Sequence, residues 1–64
     1  MDEVKFNVRM LAAYKEMSIT KLAECAGINA EHLANVSIGR TKMTADDIVK
    51  LSEFTGIPPR NIQS

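Results

Sequence analysis

Gly27 constrains this chain more than any other residue, because it falls between two runs whose apolar residues recur at helical spacing. Before it, Ile19, Leu22, Ala23 and Ala26 share one face of a helix; after it, Leu33 and Val36 share another, with Ala30 a further inward candidate. Only Ile28 and Asn29 carry the chain across. Glycine tolerates the left-handed backbone that closes a helix, and asparagine is a good N-cap, so the spacing predicts a helix that stops and another that starts almost at once. Two helices joined so tightly meet at a steep angle, and the second is left standing out from the body.

The remaining punctuation is of the same kind. A first helix is expected from about Glu3 to Glu16, with Phe6 or Val8, Leu11, Ala12 and the stem of Lys15 turned inward. Ser18 is placed to cap the second helix, and Gly39 to close the third. Thr44 then caps a fourth, with Asp46 and Asp47 at its positive dipole end and Asp47 able partly to mimic the Glu of a capping box. Its inner face would hold Ile48, Leu51, Ser52 and Thr55, with Phe54 beside them, and Gly56 would end it. The proline pair in Ile57-Pro58-Pro59-Arg60-Asn61-Ile62 can open a last short turn. No strand pattern, repeat or low-complexity linker is present, so the expected fold is all-α, with five short helices in one domain spanning 1–64.

Composition agrees with a folded domain and narrows its setting. A chain of 64 residues buries only about 60% of its unfolded surface, so its core must be economical. With 45% hydrophobic and 25% charged residues spread along the sequence, disorder is not expected. No uncharged run approaches the ~20 residues of a membrane span, and Met1-Asp2-Glu3 is not a basic signal-peptide start. A lone Cys25 has no partner for an internal disulfide and is expected to be a small, partly buried residue in a reducing interior. A cytoplasmic, nucleoid-associated protein is the expectation.

Eight basic and eight acidic residues cancel, which excludes holding nucleic acid by bulk charge. Their distribution is uneven. No acid lies between Glu31 and Asp46, where Arg40 and Lys42 stand together, so residues 37–42 form a local positive patch if they face outward. Lys5, Arg9, Lys15, Lys21, Lys50 and Arg60 are scattered, with Arg9 and Lys21 able to approach a phosphate backbone.

The two helices around Gly27 read as a helix-turn-helix over about 18–37, and a protruding short helix fits the major groove of B-DNA, about 12 Å wide. The set Leu22-Ala23, Gly27-Ile28, Leu33, Val36, Gly39, Ile48, Leu51 and Gly56-Ile57, in its spacing, resembles the DNA-binding domain of the lambda-repressor/Cro (XRE-type) family. The resemblance runs from about Val8 to Ile62. It implies five helices, sequence-specific operator binding as a homodimer, and regulation of transcription, most simply repression. By position it assigns Asn29, Ala30, Glu31 and Asn35 to base edges with His32 at the flank, and Ser18, Arg40 and Lys42 to phosphates. The chain departs from the family where Ile19 stands in place of a common Gln, where Ser37-Ile38-Gly39 replaces Glu-Asn-Gly, and at Ala12, where the Arg that pairs with that Glu is absent. Both halves of the pair are missing together, so no charge is orphaned.

Each assignment has a plainer reading beside it. Asn35 can pair bidentately with adenine N6 and N7, or be a solvated polar residue. Asn29 and Ser18 can serve as caps alone, although a helix N-terminus also suits a phosphate. Glu31 can accept from cytosine N4 or simply favour the helix dipole. Ala30 offers a methyl to thymine or fills space against the helix before it. His32, the only histidine, meets a phosphate or nothing.

Cys25 and His32 lack the further ligands that structural zinc requires, and no nucleophile constellation, phosphate loop or carboxylate pair is present. The reading is therefore not an enzyme, with no cofactor, metal, membrane or small-molecule substrate. Ile57, Pro58, Pro59 and Ile62 form the most apolar tail and either give a self-complementary dimer patch or close the core. A rival reading keeps the fold as a protein-interaction module, an antirepressor or repressor partner, since Ile19 and Ile38 make a poorer DNA face and a better protein one.

Overall fold

Four leucines organise the chain. The computed structural model describes residues 5–63, and in it each α-helix carries one leucine with no exposed surface: Leu11 in α1 (Val8–Tyr14), Leu22 in α2 (Ile19–Ala26), Leu33 in α3 (Ala30–Ser37) and Leu51 in α4 (Ala45–Thr55). Val8, Ala12, Ala23, Ile28, Met43, Ile57 and Ile62 complete one buried cluster around them. α2 lies at the centre, against α1, α3 and α4. Among the described residues no helix is long and apolar enough to cross a membrane.

The helix starts are set by side chains that replace missing backbone partners. Ser18, Asn29 and Thr44 sit in extended conformation and accept from Lys21, His32 and Asp47 N–H respectively, each cap contributing about 1 kcal/mol. The Thr44 cap is reciprocal, since the Asp47 carboxylate accepts from the Thr44 N–H at 3.0 Å. Gly27 closes α2 at φ 78, with Ile28 N–H donating back to the Ala23 carbonyl at 2.8 Å. That bond drops Ile28 into the core as the apolar residue of the turn.

Three expectations need correction. The first helix does not begin near Glu3 or reach Glu16: Asn7 caps α1 through its side chain, and the chain leaves the helix after Tyr14. Glu3 itself lies outside the described residues. Phe6 is drawn away from helical geometry because its N–H donates to the Asn61 carbonyl at 2.7 Å and its carbonyl accepts from Gln63 N–H at 2.8 Å. This parallel bridge between Phe6 and Ile62 ties the two ends together without making a strand, and no strand is present among the described residues.

Among the described residues there are also four α-helices and not five. The last element, Pro59–Asn61, is a single 3-10 turn, opened by Pro59 where a missing N–H does no harm. Ile57 and Ile62, at either end of it, are 7% and 4% exposed and close the core, while Pro58 and Pro59 are exposed. The self-complementary patch drawn from these four residues thus loses its two branched members to the interior. Finally, Cys25 is exposed and not partly buried, one residue before the end of α2.

The end of α1 holds a strained residue. Glu16 adopts φ 57, and its N–H and that of Met17 return to Ala13 and Ala12 carbonyls in the way a glycine usually allows. A side chain in this region is disfavoured by about 1 kcal/mol, and glycine recovers part of that despite its greater freedom when unfolded. Glu16→Gly is therefore expected to raise the midpoint of thermal unfolding by about 2–4 °C. A lowered midpoint would mean that the Glu16 side chain supports the turn by contacts worth more than the strain.

Candidate functional site

The core fixes which face of α3 is free. Leu33 is its one buried residue, and opposite it Glu31 and Ala34 are exposed, with Asn35 half-buried at the edge of the same face. Glu31 and Asn35 are one turn apart and so share that face. Ala34, between them in sequence, is a methyl on this surface that the motif-based assignment passed over. The Asn35 side chain makes no hydrogen bond among the described residues, whereas its carbonyl accepts from the Arg40 N–H at 2.9 Å as the chain turns through Gly39, φ 85.

That turn sends Arg40 and Lys42 out at the C-terminal end of α3. Both are exposed, and neither has an ion-pair partner among the described residues. Ile38, beside them, is 58% exposed. Lys42 also borders a shallow cleft of about 440 Å³ that runs from Val36 and Ile38 to Asn7 and Gln63.

The other assigned residues divide. Ser18 and Asn29 are exposed, yet the Ser18 hydroxyl and the Asn29 amide oxygen already accept from Lys21 and His32 N–H, at 3.1 and 3.0 Å. Ala30 is half-buried against the core, which fits the filler reading, although part of its surface stays open. Ile19 likewise packs on the core and so is not a free apolar contact. Arg9 and Lys21 are exposed.

His32 is tied to the body of the protein. Its Nε2 stands 2.6 Å from Asp47 Oδ2, the same oxygen that accepts from the Thr44 N–H. Burial alone pushes the Asp47 carboxyl up, but hydrogen bonds from the Thr44 N–H, the His32 ring and the Thr44 hydroxyl together outweigh it and hold the group below its ordinary value. Three residues further along α4, Lys50 reaches the Gly27 carbonyl at 3.3 Å and pairs with Asp46 at 3.0 Å. Thus α4 grips both the turn before α3 and the first turn of α3 itself. The capping role of Asp47 was visible in the Thr44 spacing; its second partner, fifteen positions away, left no signal in the sequence.

Chemically, the face offers an amide, a carboxylate, a methyl and an imidazole edge, with two exposed cations at its rim. Among the described residues no three His, Cys, Asp or Glu side chains come together in a way that would hold a metal ion. Comparison of the chain with protein-family models, with curated proteins and with solved structures finds no match.

Proposed function

We propose that this protein is a sequence-specific DNA-binding transcription regulator of the lambda-repressor/Cro kind, which inserts α3 into the major groove of an operator. The observation that carries the reading is the combination at α3: a helix anchored by one leucine and joined to α2 through a three-residue turn, its polar face free, with Arg40 and Lys42 exposed where the helix ends and without an ion-pair partner among the described residues. In this reading α2 and α3 are the helix-turn-helix. Asn35, Glu31 and Ala34 meet base edges, with Asn29, Ala30 and His32 at the near end of the contact. Arg40, Lys42 and the Ser18 end of α2 meet phosphates. Two copies on a two-fold operator would contact half-sites about one helical turn apart.

One observation favours a different partner. Ile38 leaves a branched apolar side chain on the rim of this face, which suits a protein surface better than a phosphate backbone. Salt separates the two readings, because each phosphate contact contributes about −0.9 to the log-log slope of affinity against salt, whereas an apolar interface barely responds.

The test is fluorescence anisotropy of the protein against a pool of duplexes at low and moderate salt. Arg40→Ala is expected to weaken binding evenly across sequences and to reduce the salt slope by about 1, while Asn35→Ala flattens the preference at one base pair by about 1–3 kcal/mol. Absence of duplex binding at low salt, with both variants folded, rejects the DNA reading in favour of the protein-interaction module.

A further inference from the structure

Which nitrogen of His32 carries the proton follows from what Asp47 can do. An ionised carboxylate only accepts, so the 2.6 Å contact requires His32 Nε2 to be the donor. In a neutral imidazole the other nitrogen is then a bare acceptor, its tautomer set by the bond its partner makes. Nδ1 makes no hydrogen bond to the described residues, and no buried side-chain nitrogen or oxygen among them lacks a partner; Nδ1 therefore reaches solvent. About a third of the His32 side chain, 32%, is exposed, and Asn35 lies three residues on along the same flank of α3.

We propose that Asp47 is a positioning residue that holds the neutral His32 ring as its Nε2–H tautomer, so that α3 presents Nδ1 as a fixed hydrogen-bond acceptor for the exocyclic amino group of adenine or cytosine; a ring protonated on both nitrogens would instead donate from Nδ1 and reverse the preference. The inference rests on the DNA reading above and sharpens it. In the major groove adenine N6 and cytosine N4 donate, while guanine offers only the N7 and O6 acceptors. A fixed acceptor next to Asn35 discriminates against guanine, because two lone pairs would face each other without a proton. The same ring free to change tautomer would tolerate either. The Lys50 bond to the Gly27 carbonyl holds the preceding turn from the same helix, so the ring is fixed relative to α4 and not only to its own backbone.

Two measurements on the intact chain test this. The first is ¹⁵N-resolved NMR of the His32 ring in the free protein, where a hydrogen-bonded Nε2 proton in slow exchange and an unprotonated Nδ1 are expected. A proton on Nδ1, or an Nε2 proton exchanging as fast as in free imidazole, overturns the lock. The second compares wild type and His32→Ala against the duplex pool. Wild type is expected to favour an amino-bearing base over guanine at one position, and the variant to lose that preference by about three- to tenfold. Selective binding that His32→Ala leaves unchanged overturns the base contact while sparing the DNA reading. Absence of any duplex binding by wild type overturns both.

Discussion

Leu33→Ala is expected to destabilise the protein by about 3 kcal/mol, a cost typical of emptying a fully buried leucine site. For 64 residues the whole stability is on the order of 3–10 kcal/mol, so this one change removes between a third and all of it. The effect should also be uneven. α1 keeps three buried residues and α2 keeps two, but Leu33 is the single buried anchor of α3. Urea unfolding should therefore show a sharply lowered midpoint, and amide exchange in the variant should accelerate first across α3. Glu31→Ala, on the exposed face of the same helix, is the control and should change stability by less than about 0.5 kcal/mol. A loss below about 1 kcal/mol for Leu33→Ala would mean that α3 is held chiefly by its polar ties to α4.

Those ties give the second expectation. Asp47→Ala removes one side of the Thr44 capping box and the acceptor of His32 together, and a combined loss of about 2 kcal/mol is expected near neutral pH. The carboxyl is held below its ordinary value in the folded chain. Its contribution is therefore fully present above the unfolded carboxylate value of about 3.9 and is lost as pH falls through the folded value. Wild-type stability should decline from about pH 4 downward, and Asp47→Asn, which cannot titrate, should show a shallower decline in that window. Thermal unfolding across pH 2–6 measures both (a range around the carboxylate values). Parallel acid curves for wild type and Asp47→Asn would show that the Asp47 charge is not what links α3 to α4.

Local chemistry was legible and distant pairing was not. Ser18, Asn29 and Thr44 announce helix starts because a cap and its N–H partner sit three residues apart in sequence. Gly27 and Gly56 announce helix ends because a positive φ rarely suits another residue type. The end of α1 was misplaced for the complementary reason: Glu16 takes the same backbone region without being glycine. Phe6 read as helical because its spacing to later apolar residues fits a helix, yet a bond to Asn61 decides its conformation. The same holds at the candidate site. The half-buried Asn35 at the edge of the open face and the exposed Arg40 and Lys42 follow from periodicity and charge spacing, whereas the Asp47 bond that orients His32 depends on how α4 crosses α3, and no short window of sequence encodes that.

The bridge between Phe6 and Ile62 has a kinetic corollary. It joins positions separated by almost the entire chain, so its formation requires closing nearly the largest loop this polypeptide can make. The contacts of α2 with α3, close in sequence, reward folding early at little entropic cost, whereas the clasp gains only after the four leucines have gathered. It is therefore expected to form among the last steps of folding and to open among the first of unfolding. Clasp and helix pair are thermodynamically parts of one core, but in time they are expected to stand at opposite ends of the folding reaction.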